Sequence, residues 1–112
     1  MMDKDAYGQA RNASKGLFKN ALVLPVAIAI SSVAKDGGTF GISGLSEELG
    51  GRVGGDPIRK AIQRIVSAGA AQQLISLGPP HPDAWERRPH PLWAFAKDWA
   101  DQLSADPATR EV

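Results

Sequence analysis

Residues 42–51, ISGLSEELGG, and residues 56–74, DPIRKAIQRIVSAGAAQQL, decide how this chain of 112 residues is read. In the second segment Ile58, Ile62, Ile65 and Val66 fall at i, i+4, i+7 and i+8, which is one apolar stripe along a helix. Asp56-Pro57 opens that helix, an acidic cap ahead of a proline whose missing N–H costs nothing in a first turn. Gly69 closes it, because glycine accepts the left-handed conformation of a helix end. The opposite face carries Arg59, Lys60, Gln63, Arg64 and Ser67. In the first segment Ser43 has the spacing of an N-cap answered by Ser46 or Glu47. This predicts a short helix over 44–49 with Leu45 and Leu49 on one side, ended by Gly50-Gly51.

Upstream, the apolar run 21–30 is interrupted by Pro25, which fits a first turn better than a helix interior. The spacing predicts a helix over about 24–35 that buries Val26, Ile30, Val33 and Ala34 and stops at Gly37-Gly38, with a short helix over 16–22 before it. Thr39-Phe40-Gly41 has the length of an edge strand. Residues 1–16, MMDKDAYGQARNASKG, are polar, so they read as a flexible N-terminal arm or weak helix, with positive charge at Arg11, Lys15 and, just beyond, Lys19.

Downstream, Leu74, Ile75 and Leu77 predict a strand over 71–77. Residues 79–91, PPHPDAWERRPHP, hold five of the eight prolines and predict a protruding loop without regular structure. Trp85 stands at its centre, to fold back onto the domain or to meet a partner. Residues 92–95 read either as a strand returning beside 74–77 or as the start of a helix from Pro91, since Leu92, Phe95, Ala96, Trp99 and Leu103 have helical spacing. The expected organisation is an arm at 1–16, one folded domain at 17–104 and a disordered tail at 105–112.

Composition narrows the function classes. A chain of this length supports one core. The absence of cysteine removes disulfides, thiolate nucleophiles and cysteine-based zinc sites, and two histidines without metal-ligand spacing offer no catalytic metal site. The longest apolar run falls far short of the ~20 residues of a membrane span. The acidic N-terminus lacks the pattern of a secretory signal, and a cytoplasmic location is expected. Residues 1–64 hold nine basic and six acidic side chains, and residues 65–112 four and six, so the front half is the side that would meet a polyanion. The glycine run 50–55 lacks the GK[ST] ending of a phosphate loop. His81 and His90 read as solvated turn residues, and Glu47 and Glu48 as solubilising charge. Trp93, Phe95 and Trp99 read as core or dimer contacts.

The order helix, short strand, short helix, glycine turn, basic helix, strand, proline-rich hairpin, strand, helix resembles the winged helix-turn-helix family of DNA-binding domains. Residues 24–77 carry the resemblance, above all the two segments quoted, with Ile65-Val66-Ser67-Ala68-Gly69 where the recognition helix of that family ends. The turn 50–55 is longer than is usual there, and Ala70-Ala71-Gln72-Gln73 is less apolar. The resemblance implies an α+β, mostly α, single winged helix domain with a small β-hairpin wing. It also implies sequence-specific binding of double-stranded DNA by a dimeric transcriptional regulator, without catalysis, cofactor or metal.

The residues suit that chemistry. Arginine offers a planar fork to guanine and glutamine a matched donor and acceptor to adenine, so Arg59, Lys60, Gln63 and Arg64 are the candidate readers of the major groove. Arg52 in the glycine turn is a candidate phosphate contact, and Arg87 and Arg88, expected at a hairpin tip, are candidates for the minor groove. A single short recognition helix favours a dimer, with Leu17, Phe18, Leu22, Trp99 and Leu103 as its candidate interface. Two other readings use the same residues. One is a winged helix that binds a protein through the loop around Trp85; the other is a plasmid or phage centromere-binding or maintenance protein.

Overall fold

Nothing on the helix Val23–Val33 is polar before Ser31, and every residue from Val23 to Ile30 is buried. A helix that is apolar all round belongs at the centre of a core, and the other elements are arranged about it. The computed structural model describes Met2, residues 4–74 and residues 84–104. In chain order the elements are α1 (Lys4–Phe18), α2 (Val23–Val33), β1 (Thr39–Gly41), α3 (Ile42–Glu48), α4 (Gly55–Ser67), β2 (Ala71–Gln73), β3 (Ala84–Arg87) and α5 (Pro91–Ser104). The fold is α+β and mostly helical. α2 packs against α1, α3, α4 and α5. Among the described residues no single helix is long and apolar enough to cross a membrane.

Of the two forms expected for residues 1–16, a flexible arm or a weak helix, the N-terminal segment takes the helical one. It forms most of α1, a helix that lies on α2 and α5. Large apolar side chains are scarce there, but Ala6, Ala10 and Ser14 recur every four residues, and their small size lets α1 approach α2 closely. Ala10 and Ser14 are fully buried. The Ser14 hydroxyl donates to the Asn20 carbonyl and accepts the Leu24 N–H at 3.0 Å. It therefore joins the end of α1 to the start of α2. The expected short helix over 16–22 is replaced by this junction, in which Lys19 adopts a φ of 55° and Asn20 Oδ1 accepts the Leu22 N–H. Replacing Ser14 by alanine strands the buried Leu24 N–H, at an expected cost of about 1–3 kcal/mol. Thermal unfolding followed by circular dichroism should register this as a lower Tm; an unchanged Tm would show that the junction does not hold the helices together.

Helix ends differ from the sequence reading by a few residues. α2 stops at Val33 because Ala34 is already extended and Gly37 turns the chain at a φ of 81°, so Val33 is exposed instead of buried. Gly41, not Ser43, is the N-cap of α3, and Ser43 points outward from its first turn. Gly54, not Asp56, caps α4. Asp56 and Pro57 sit inside the first turn, where the N–H groups have no intrahelical acceptor and proline is tolerated. Gly50 and Gly51 leave α3 at φ values of 76° and 72°. The long turn that follows is pinned by Val53, which is buried, and by the Ser46 hydroxyl donating to the Val53 carbonyl at 3.4 Å.

The largest correction falls in the proline-rich stretch. Ala84–Arg87 is the central strand of an antiparallel sheet ordered β1-β3-β2. Prolines 79, 80, 82, 89 and 91 surround residues 83–88 without entering them, so every N–H of the strand remains available for pairing. Phe40 lies opposite Trp85 on one side and Gln73 on the other. Trp85 is 3% exposed and stacks on Phe40 with ring centroids 6.1 Å apart, so it folds back into the core. Residues 92–95 are not a strand. They belong to α5, which His90 caps by accepting the Leu92 N–H on Nδ1 at 3.0 Å, with Pro91 at the first helical position. Of the strand expected over 71–77, β2 takes Ala71–Gln73 and Leu74 lies past its end; residues 75–77, the hairpin tip, His81 and the tail 105–112 lie outside the described residues.

Candidate nucleic-acid interface

α4 separates its two chemistries cleanly. Ile58, Ala61, Ile62 and Ile65 are buried, and the helix packs on α2, α3 and β2. Lys60, Gln63 and Arg64 are exposed on the other side with Asp56 and Ser67, spread over about 7.5 Å of helix axis between residues 59 and 64. Arg59 flanks this face, half-buried and engaged with the protein itself. Asp56 in the first turn and Arg64 in the last match the sign of the helix dipole. The arrangement presents a donor-rich helical surface held rigidly by a buried opposite face, which suits contact with base edges and phosphates.

The remaining sequence candidates lie elsewhere. Arg52 is tied down: its Nη1 donates to the carbonyls of Met2 at 2.9 Å and Leu49 at 3.1 Å, latching the N-terminus to the end of α3. Arg87 and Arg88 are not at a hairpin tip. They sit at the opposite end of β3, because the β2–β3 connection leaves from Leu74 and returns at Ala84. Arg87 Nη1 donates to the Ala34 carbonyl at 2.7 Å, and its Nε lies 2.9 Å from Asp36 Oδ1 as an ion pair without hydrogen-bond alignment. Its guanidinium covers the Trp93 ring with 4.8 Å to the centroid. The Trp93 indole N–H in turn donates to the Arg88 carbonyl at 2.7 Å, and the Arg88 side chain pairs with Glu86 at 3.2 Å. These contacts join β3 to α5.

Of the candidate dimer residues, Phe18 at the end of α1 meets α5. Leu17 is 55% exposed, and Phe18 and Leu22 are half-buried. Phe95 meets Phe18 and Trp99 edge-on at 6.4 and 6.5 Å. Phe95, expected with Trp93 and Trp99 as a core or dimer contact, is 36% exposed and links Phe18 to Trp99. The Leu103 side chain lies outside the described set.

Among the described residues no group of His, Asp or Glu side chains could hold a metal ion. Sequence reasoning also missed an open cavity whose walls come from α1, α2, α3, β3 and α5; no local motif signals a cavity built from five distant segments. Comparison with protein-family models, with curated proteins and with solved structures returns no match to this chain.

Proposed function

We propose that the protein is a winged helix-turn-helix domain that binds double-stranded DNA through the outer face of α4, as a homodimeric transcriptional regulator acting in the cytoplasm. The observation that carries this reading is the uncovered Lys60–Gln63–Arg64 face of a helix whose other face is buried. The element order from α2 to β3, with β1 on the outer edge of the β2–β3 hairpin, supports the same reading. So does the turn between α3 and α4, which Val53 anchors despite its length. The aromatic cluster of α1 and α5 is the proposed dimer contact, and paired half-sites one helical turn apart are its geometric consequence. A protein-binding role through Trp85 loses its anchor, since Trp85 is buried.

The test is an electrophoretic mobility shift with duplex DNA flanking the protein's own gene, with light scattering on the same samples. A shift of duplex in preference to single strands, by a species of twice the 11.9 kDa chain mass, is the expected result. Failure to shift any duplex at low salt would overturn the DNA reading. A monomer that shifts duplex would overturn the dimer alone.

A further inference from the structure

An open cavity of about 710 Å³ is lined mainly by residues of α2 and α5, with Ala6 of α1 and Glu48 at the end of α3 also contributing. Its size lies within the ~300–1,000 Å³ range of small-molecule sites. It exists because alanines face it where larger side chains would fill it: Ala6 on α1, Ala29 on α2, and Ala94 and Ala100 on α5. The floor is apolar and firm, made by Ile28, Ala29 and Trp93, all buried. Trp93 is fixed there by its indole hydrogen bonds and by the Arg87 guanidinium over its ring.

Most polar groups on the wall are already satisfied. Asp36 faces Arg87, the Ser31 hydroxyl donates to the Ile28 carbonyl, and the Ser32 hydroxyl donates to Glu48 Oε1 at 3.0 Å. Two groups are different. His90 Nδ1 accepts the Leu92 N–H, so its ring proton resides on Nε2, which has no partner among the described residues. The Lys97 ammonium likewise has no partner among the described residues. Both are donors. His90 just ahead of α5, and Ala94 and Lys97 on it, line the same cavity at the spacing of one helix face. Glu48, which also lines the cavity, disfavours a second negative charge.

We propose that this cavity binds a small aromatic monocarboxylate, its carboxylate held by Lys97 and His90 and its ring on the floor formed by Ile28, Ala29 and Trp93. The proposal stands whether or not α4 binds DNA. Burial of the ring on an apolar floor supplies most of the affinity, and the charge-assisted hydrogen bonds set orientation and sign.

The experiment titrates the full chain with naphthalene-2-carboxylate, 2-naphthylmethylammonium and naphthalene-2,6-dicarboxylate, followed by nitrogen–proton correlation NMR. The carboxylate is expected to shift the Trp93 indole and the Ala94 and Lys97 amide signals saturably, and to bind more tightly than the ammonium or the dianion. Lys97→Glu should weaken it by about tenfold or more, as loss of a charge-assisted hydrogen bond requires, and Ala94→Phe should close the mouth with a similar loss. Both positions are exposed, so the spectra should keep their folded dispersion. Should the larger ring prevent folding, the Lys97 variant still decides. Equal or tighter binding of the ammonium, perturbations confined to other regions, no binding by the carboxylate, or a Lys97→Glu variant that binds like the wild type would each overturn the proposal.

Discussion

Alanine at Gln63 or Arg64 is expected to weaken binding to the preferred duplex by about 1–3 kcal/mol, roughly fivefold to more than a hundredfold, and to weaken random duplex much less. The reason lies in α4. These two side chains project from a helix fixed by Ile58, Ile62 and Ile65, and they are exposed, so their removal deletes donors without disturbing the core. Melting temperatures should therefore stay within error of the wild type. Lys60→Ala should act differently, lowering affinity by similar factors on all sequences and making the salt dependence shallower, as loss of a phosphate contact does. Arg59 is a poorer probe, since it is half-buried and engaged within the protein, and its replacement mixes stability with binding. Competition assays with specific and random duplex measure all of these effects. Discrimination that survives both the Gln63 and the Arg64 change would assign sequence reading to another surface.

Trp85→Ala is expected to cost about 3–5 kcal/mol of stability, the range for truncating a buried tryptophan or phenylalanine. Against the ~5–15 kcal/mol that holds a typical domain together, that is a large share of the total. At the ~4–8 °C per kcal/mol characteristic of small domains, Tm should fall by roughly 15 °C or more. The loss has a specific source. Trp85 occupies the middle of the central strand, fills the space against Phe40 and lies between the two paired edge strands. Trp85→Phe keeps an aromatic partner for Phe40 and should cost much less. An alanine variant that melts like the wild type would mean that Trp85 is not part of the core, and would return it to the role of an exposed partner contact.

How much the sequence disclosed depended on the size of the side chains that carry each signal. The buried stripe of α4 was legible because isoleucines recur at helical spacing over two turns, and Gly69 at a φ of 88° marks its end as expected. α2 was legible in its core residues but not in its last turn, where Ser32 and Val33 lie outside the buried surface. α1 read as an arm or a weak helix because close packing of alanine and serine leaves no run of large apolar residues; the period of Ala6, Ala10 and Ser14 is the signal for a packed helix. β3 was hidden by its neighbours. Proline density over 79–91 predicted a loop, yet the proline-free gap 83–88, with one large aromatic at its centre, is long enough for a strand. That misplacement carried Arg87 and Arg88 with it, from a supposed hairpin tip to the junction with α5. Lys60, Gln63 and Arg64 share an exposed face because they are neighbours on one helix, with Arg59 half-buried at its flank, whereas the cavity depends on packing among five segments and has no sequence signature.

The most direct measurement of the central proposal is equilibrium binding of the protein to a labelled duplex as salt is raised, for the wild type and for the double variant Lys60→Glu, Arg64→Glu. If the α4 face lies on DNA, the wild type should lose affinity with a log–log slope of about −4 to −10 for a dimer. The double variant, folded by circular dichroism, should bind far more weakly at low salt and with a visibly shallower slope. A wild type that fails to bind duplex at low salt, a flat salt response, or a double variant indistinguishable from the wild type would contradict the assignment of α4 to DNA.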